Sequence, residues 1–342
     1  MQRDTIKWHT GLSGALCLSI LATVLWGCRS KAEGVTGAAS SPVSTAPFMS
    51  APASIPPQTP DDAPPPPAST EGFDGKRAFA HVAKQVSFGP RPSGSPAIIQ
   101  VQDYIQSELR SYGCKVETDS FTSDTPAGRL PMKNILVKIP GEKPGIILLG
   151  THYDTKRLDN FVGADDGGSS TGVMLELARL LCSQQGRYNV WIAFFDGEEA
   201  VNLEWKDPDN RYGSRQMAAR LAMSGDLSKI KAFLLADLVG GRTPHFKRDD
   251  TSTEWLNTFV WGVAAKLGYS SVFVEQRSDI GGDDHFSFTQ RKVPAVDVID
   301  LDTVNDVPYW HTPQDTLDKI SAKTLAIVGH VFLECVKQLQ AK

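Results

Sequence analysis

The chain has 342 residues, with 35 Lys and Arg against 39 Asp and Glu, a formal charge of −4 and 41% hydrophobic residues. That near balance, with no basic cluster interleaved with aromatics in the part that folds, excludes a nucleic-acid surface. Cys17 and Cys28 lie in the first 28 residues, which leaves Cys114, Cys182 and Cys335, an odd number without metal-type spacing that argues against a disulfide framework.

Arg3 and Lys7 precede an apolar run, Gly11 to Trp26, that is short for a membrane span, followed by Leu25-Trp26-Gly27-Cys28. The segment reads as a secretory signal. Its Leu-x-Gly-Cys ending is similar to a bacterial lipoprotein cleavage site, at which Cys28 would carry lipid; a simple cleaved signal or an uncleaved anchor are the alternatives. Residues 29–70 are rich in Pro, Ala, Ser and Thr, with almost nothing to bury, and read as a disordered tether. Residues 71–342 are then enough for one α/β domain. Within it Cys182 and Cys335 sit in apolar helical patterns and read as buried hydrophobes, although one bridge stays open in an exported protein.

In that domain the periodicity predicts helices over 75–86 and 96–112, a strand over 114–121, and strands over 134–139 and 145–150. A helix follows over 170–183, then a wholly apolar strand over 190–195 and a helix over 211–224. The remainder reads as a strand over 230–238, a helix over 254–267, a strand over 293–299 and a closing helix over 322–340. The alternation implies an α/β fold with a mixed, mostly parallel central sheet flanked by helices on both faces.

The charged residues gather where these strands stop. The run Val190 to Phe195 ends in Asp196-Gly197-Glu198-Glu199, the strand before Thr151 runs into His152-Tyr153-Asp154, and the next parallel strand reaches Asp237. Asp165-Asp166 occupies a Gly-rich loop before a helix, and His311 follows Trp310. Beyond the carboxyl ends of such strands lies the functional crevice of open α/β sheets. Histidines and carboxylates without cysteine suit a catalytic zinc with an open position, although each histidine taken singly reads as structural.

GTHYDTK, FVGADDGGSS, FFDGEEA, YGSR, DDHFSF and YWHT, in that order, resemble the zinc exopeptidase superfamily, which holds aminopeptidases and the animal-type glutaminyl cyclases. The resemblance implies Asp166, Glu199 and His311 as zinc ligands and Glu198 as the acid/base, with Asp237 and Asp283 sharing its hydrogen-bond network. It implies His152 and Asp237 for a second metal, so one zinc or two, and Asp154 as the carboxylate that orients His152. Trp205 and Trp310 match the aromatic walls of the cyclase pocket. The implied activity is zinc-dependent conversion of N-terminal Gln to pyroglutamate, by a monomer acting on peptide or protein N-termini and meeting membrane only through a lipid anchor.

Several departures keep the aminopeptidase reading open. The loop GADDGGSS and the segment HTPQDTLDKI are peptidase-like, GEEAVNLEW has one residue more before its Trp than the cyclase pattern, and Gly282 and Asp297 stand where animal cyclases place Gln and His. A third reading, a binding domain on this fold, is disfavoured by the intact Glu198, Asp166, Glu199 and His311. Each remaining motif has its plainer reading: Gly89-Pro90-Arg91-Pro92 as structure, Tyr212 to Arg215 as a helix start, Asp283-Asp284 as a solvated turn.

Overall fold

A computed structural model describes residues 62–301 and 307–342. The expected signal over 1–28, with its Cys28 lipid site, and the tether as far as residue 61 lie outside the described residues. Among the described residues no helix is long and apolar enough to cross a membrane.

Helix α1 (Gly75–Val86) starts where the Asp74 carboxylate accepts the amides of Lys76 and Arg77, and α2 (Pro96–Ser111) starts on the Ser95 hydroxyl with Pro at its first position. An antiparallel hairpin follows, β1 (Val116–Thr125) and β2 (Gly128–Ile139), turning at Gly128 with φ 94°. Then come β3 (Gly141–His152), α3 (Gly168–Leu181), β4 (Gly186–Phe195), α4 (Tyr212–Ser224) and β5 (Ile230–Asp237). The chain continues as β6 (Phe246–Asp249), α5 (Glu254–Lys266), β7 (Phe273–Ser278), α6 (Phe286–Thr289), β8 (Ala295–Ile299) and α7 (Ala322–Ala341).

Six strands form one sheet in the order β1-β2-β4-β3-β5-β8, parallel from β4 to β8 and antiparallel where β2 meets β4 and β1. The apolar runs of β3, β4 and β5 occupy its centre because both faces there are covered, so neither face tolerates a polar residue. Ile147, Leu149, Ile192, Phe194 and Leu234 meet the larger core under α1, α3, α5 and α7; Leu148, Ala193, Phe195, Phe233 and Leu235 meet the smaller one under α4 and α6. The mixed α/β architecture expected from the sequence is therefore present.

Three expectations need correction. Cys182 is not a plain hydrophobe: it bridges Cys114, pinning the end of α3 to the start of β1, while Cys335 stays free and buried. Residues 62–70, assigned by composition to the tether, sit on the domain, with Asp62 buried against Arg242 and Ser321. Asp283 and Asp284 are not a solvated turn, being 4% and 0% exposed.

Candidate active site

Three parallel strands carry the polar residues to one edge. The β3 run ends with His152 fully covered; β4 turns out of the sheet at Gly197, whose φ of 70° suits glycine, to present Glu198 and Glu199; β5 ends in Asp237. Asp166 comes from the loop before α3, His311 from the loop after β8.

His311 Nε2 lies 3.3 Å from Asp166 Oδ2 and 3.2 Å from Glu199 Oε1. One donor atom from each residue falls within 4.8 Å of the others, and His152, Asp166 and Asp237 form a second such group sharing Asp166. In the second group His152 Nε2 is 3.0 Å from Asp237 Oδ1 and 3.3 Å from Asp166 Oδ1. Buried carboxylate oxygens normally accept hydrogen bonds, yet Asp166 Oδ2 and both Glu199 oxygens have none. Lone pairs converging on one point are what a cation needs, so the residues fit a metal with His, Asp and Glu ligands.

The charge balance points the same way. Asp154, Asp166, Glu198, Glu199, Asp237 and Asp283 are all buried within this edge, where the cationic side chains include Lys156, the buried Arg91 beside Asp154 and Asp166, and the imidazoles of His152 and His311. Burial, together with Asp283, Glu199 and Asp284, pushes Glu198 well above the usual carboxylate range, although His152 pulls against it. Burial likewise raises Asp237 to about 7 against the opposing pull of His152. For His311 burial favours the neutral ring, but Glu199 and Asp166 outweigh it and raise it to about 10. A bound cation would displace such a proton, because ligand imidazole must be neutral.

Asp154 faces His152, Oδ1 lying 3.6 Å from His152 Nδ1, and it also accepts the backbone N–H groups of Glu198 (3.1 Å) and Glu199 (3.3 Å), fixing the direction of the glutamate pair. Trp205 and Trp310 both line the cavity beside Glu198, with Leu238, Ile280, Ile299 and Leu301 completing its apolar wall. Trp310 also stacks on His311 with ring centroids 4.0 Å apart. Asp283 lines the same cavity.

Further buried residues support the site. Lys156 is buried with its Nζ 3.6 Å from Glu199 Oε2. Asp315 accepts the amides of Asp165 (2.7 Å) and Asp166 (3.0 Å), tying the ligand loop to the His311 loop. Arg91, fully buried, donates to the carbonyls of Tyr153, Val162 and Gly163, so its motif is structural as expected. His285 and Asp297 were quoted without a role. The available signal was that Lys156 and Asp315 fall inside the matching motifs, but nothing in spacing alone distinguishes a ligand from its brace.

This architecture, with an Asp, Glu, His cluster at the carboxyl edge of a mostly parallel sheet, is that of a zinc exopeptidase-type hydrolase fold. Residues 134–336 match the model of Peptidase family M28, and the chain belongs to that family. Among curated relatives, the glutaminyl-peptide cyclotransferase of Drosophila melanogaster is 30% identical over 276 residues, covering 71% of this chain and 76% of that one. Among solved structures, an Acidobacteriales bacterium glutaminyl cyclase superposes with a TM-score of 0.74 at 38% identity, over 84% of this chain and 99% of that one. A Zn-dependent exopeptidase from Parabacteroides distasonis gives 0.70 at 28% identity, over 77% and 97%.

Proposed function

We propose that the protein is a zinc-dependent glutaminyl-peptide cyclotransferase that converts N-terminal Gln of peptides or proteins to pyroglutamate with release of ammonia. The carrying observation is the cavity beside Glu198, walled by Trp205 and Trp310 and bounded by apolar Leu238, Ile299 and Leu301, a shape for one side chain held against the carboxylates. The similarity to glutaminyl cyclases, at up to 38% identity among the structures compared, supports the same reading.

Asp166, Glu199 and His311 would hold the zinc ion, with His152 and Asp237 available for a second. When bound, zinc supplies Lewis acidity toward the γ-carbonyl oxygen. The protein's own residues do the rest. The tryptophan walls fold the glutamine side chain back so that its α-amine faces its own side-chain amide carbon, Cδ, an orientation effect that replaces a second reactant. As the amine attacks, its nitrogen bonds to that carbon and Glu198 accepts the proton the nitrogen sheds. The bond to the amide nitrogen breaks, and Glu198 returns the proton to it, so that ammonia leaves. A raised carboxyl at Glu198 matches both halves of this exchange. Asp154, by accepting the Glu198 and Glu199 amides, keeps the acid/base and the ligand in register.

For the compartment we infer export: a Cys114–Cys182 bridge belongs to an oxidising environment, which supports an exported protein, and the anchor through Cys28 and the monomeric state stay part of the proposal.

The peptidase-like loop around Asp165-Asp166 and the likeness to a Zn-dependent exopeptidase favour the second reading, an aminopeptidase in which Glu198 activates water. Incubation with a Gln-initiated peptide, followed by mass spectrometry, separates the two. Loss of one ammonia from an otherwise intact peptide is expected, with Glu198→Gln lowering kcat at least 100-fold. Release of free amino acid, from Leu-initiated peptides too, would assign the aminopeptidase instead.

A further inference from the structure

The cavity beside Glu198 has a volume of about 110 Å³, room for one side chain, so the rest of a peptide substrate lies outside it. Trp205 is one of its walls, while the neighbours of Trp205 in the chain, Glu204 and Lys206, line a second and larger groove of about 750 Å³. A single run of chain therefore separates the two spaces. One bank of the groove is this run, with Leu203, Glu204 and Pro208; the other is the tip of the β1–β2 hairpin, with Asp124, Thr125 and Pro126.

The loop that forms the first bank is fixed by its own hydrogen bonds. Asp209 accepts the backbone N–H groups of Val201 (3.0 Å) and Asn202 (2.9 Å) and the hydroxyl of Tyr212 (2.7 Å), and Arg211 donates to Asp207. Held in this way, the loop turns Leu203 outward at 80% exposure. A leucine kept in water on a pinned loop gains by being covered, and little ordering entropy opposes the covering.

Charge says what would cover it. Asp124, Glu204, Asp207 and Asp209 line the groove, with Lys206 as the cation among the lining residues. Asp207 and Asp209 are engaged within the loop, but the other two carboxylates are available. Glu204 is exposed and has no ion-pair partner among the described residues. Asp124 meets Arg129 at 3.2 Å with the two side chains 87% and 76% exposed, a pair worth little in water. Each bank thus offers one carboxylate, next to the apolar surfaces of Leu203, Pro126 and Pro208. A side chain with an aliphatic stem and a cationic head fits that combination, its stem on the apolar surface and its head in water between the carboxylates.

We infer that the groove is a subsite for the substrate chain beyond its N-terminal residue, and that Leu203, Glu204 and Asp124 select Arg or Lys there. A chain with its side chains is about 10 Å across and an extended peptide advances about 3.3 Å per residue, which puts the selected side chain at the third or fourth position. These residues set specificity and touch no reacting atom. The inference rests on the cyclase reading only in that the N-terminal residue fills the cavity, which holds equally for an aminopeptidase substrate.

Ammonia release from Gln-Ala-Arg-Arg-Ala and from Gln-Ala-Glu-Glu-Ala tests this, because the ratio of the two kcat/KM values within one protein cancels any loss of folding or chemistry. In the parent the Arg peptide is expected to lead by about fivefold, through KM, and the lead to shrink between about 20 mM and about 0.5 M NaCl. Glu204→Lys combined with Asp124→Lys is expected to reverse the preference. Leu203→Ser is expected to raise KM for the Arg peptide about threefold, with Leu203→Met close to the parent. A ratio near one in the parent, or one that the double charge change leaves where it was, would overturn the subsite. A concentration-dependent dimer in light scattering that Leu203→Ser abolishes would overturn it too, since the groove would then hold a second copy of the chain. If the parent releases no ammonia but frees the first residue of both peptides, the cyclase reading fails, and the same ratio measured on cleavage decides the subsite.

Discussion

Gly167 shows how far single residues set this site. It precedes α3 with φ 74°, and a methyl group there would lie 2.8 Å from the Asp154 carbonyl and 2.9 Å from His152 Cε1. Gly167→Ala therefore combines a left-handed backbone with contact on two residues of the metal edge. A drop in kcat/KM of at least tenfold is expected, with zinc content reduced; an unchanged zinc titration would show that the loop gives way. His81, far from the site, tests a different balance. Tyr112 donates to Glu108 (2.9 Å), so its oxygen accepts from His81 Nε2 (3.1 Å), and Tyr104 donates to Nδ1 (2.6 Å), a set only neutral imidazole satisfies. Burial, with Arg77 and Arg179 nearby, lowers His81 from 6.5 to about 4. The unfolded chain then binds the proton first, so stability from this group is whole above pH 6.5 and lost as pH falls toward 4. The unfolding free energy of the parent relative to His81→Gln should be flat above pH 6.5 and decline below it, by at most about 3 kcal/mol; a flat difference throughout would rule the shift out. The site carboxylates were legible because a charge after an apolar strand has no bland place to go. Asp297 was not, since it lies inside such a strand and faces His285, 12 residues away in the chain.

At the scale of elements, the legible parts were those whose burial is two-sided or strictly periodic. The runs of β3, β4 and β5 and the stripes of α3 and α7 announce themselves because the core admits nothing else along them. The pair β6 and β7 was missed, being short and largely polar: FKRD and FVEQRS owe their pairing to Phe246 and Phe273 packing at 5.0 Å, not to a pattern. The Cys114–Cys182 bridge was missed for a similar reason, since spacing cannot say that α3 ends beside β1. It spans 68 residues and includes the hairpin, β3, the ligand loop and α3. Chain-entropy bookkeeping for a loop of this length gives about 4 kcal/mol as an upper figure. Cys114→Ser should therefore lower the unfolding free energy by up to that amount under oxidising conditions, and reduction of the parent should bring the two curves together. Coincident curves before reduction would mean that the bridge does not form.

The molecule as a whole begins earlier than its composition announces. A Pro-rich stretch has little to bury, yet Asp62 lies 8% exposed and binds Arg242 Nη1 at 2.6 Å and the hydroxyl of Ser321, which itself caps α7 by accepting Thr324 N. Thr70 follows, fully buried, donating to the Phe73 carbonyl at 2.7 Å. Arg242 continues to the Asp318 carbonyl, and Gly240, two residues earlier, donates its N–H to Asp165 Oδ1 in the ligand loop. The start of the domain is thus wired through one arginine toward the loop that holds Asp166. Hydrophobicity could not reveal this, because the attachment is made by one buried charge and a few hydrogen bonds rather than by apolar area. A chain beginning at residue 71 loses Asp62 and leaves Arg242 and Ser321 without their partner in a half-covered place. It should unfold about 1–3 kcal/mol more easily than one beginning at residue 60, the cost of stranding buried polar groups. Asp62→Ala in the longer chain should reproduce most of that loss, and Asp62→Asn, which keeps an acceptor for Ser321, should recover part of it. Equal stability of the 60- and 71-start chains would place the boundary back at Glu71 and leave the Asp62 contacts without energetic weight.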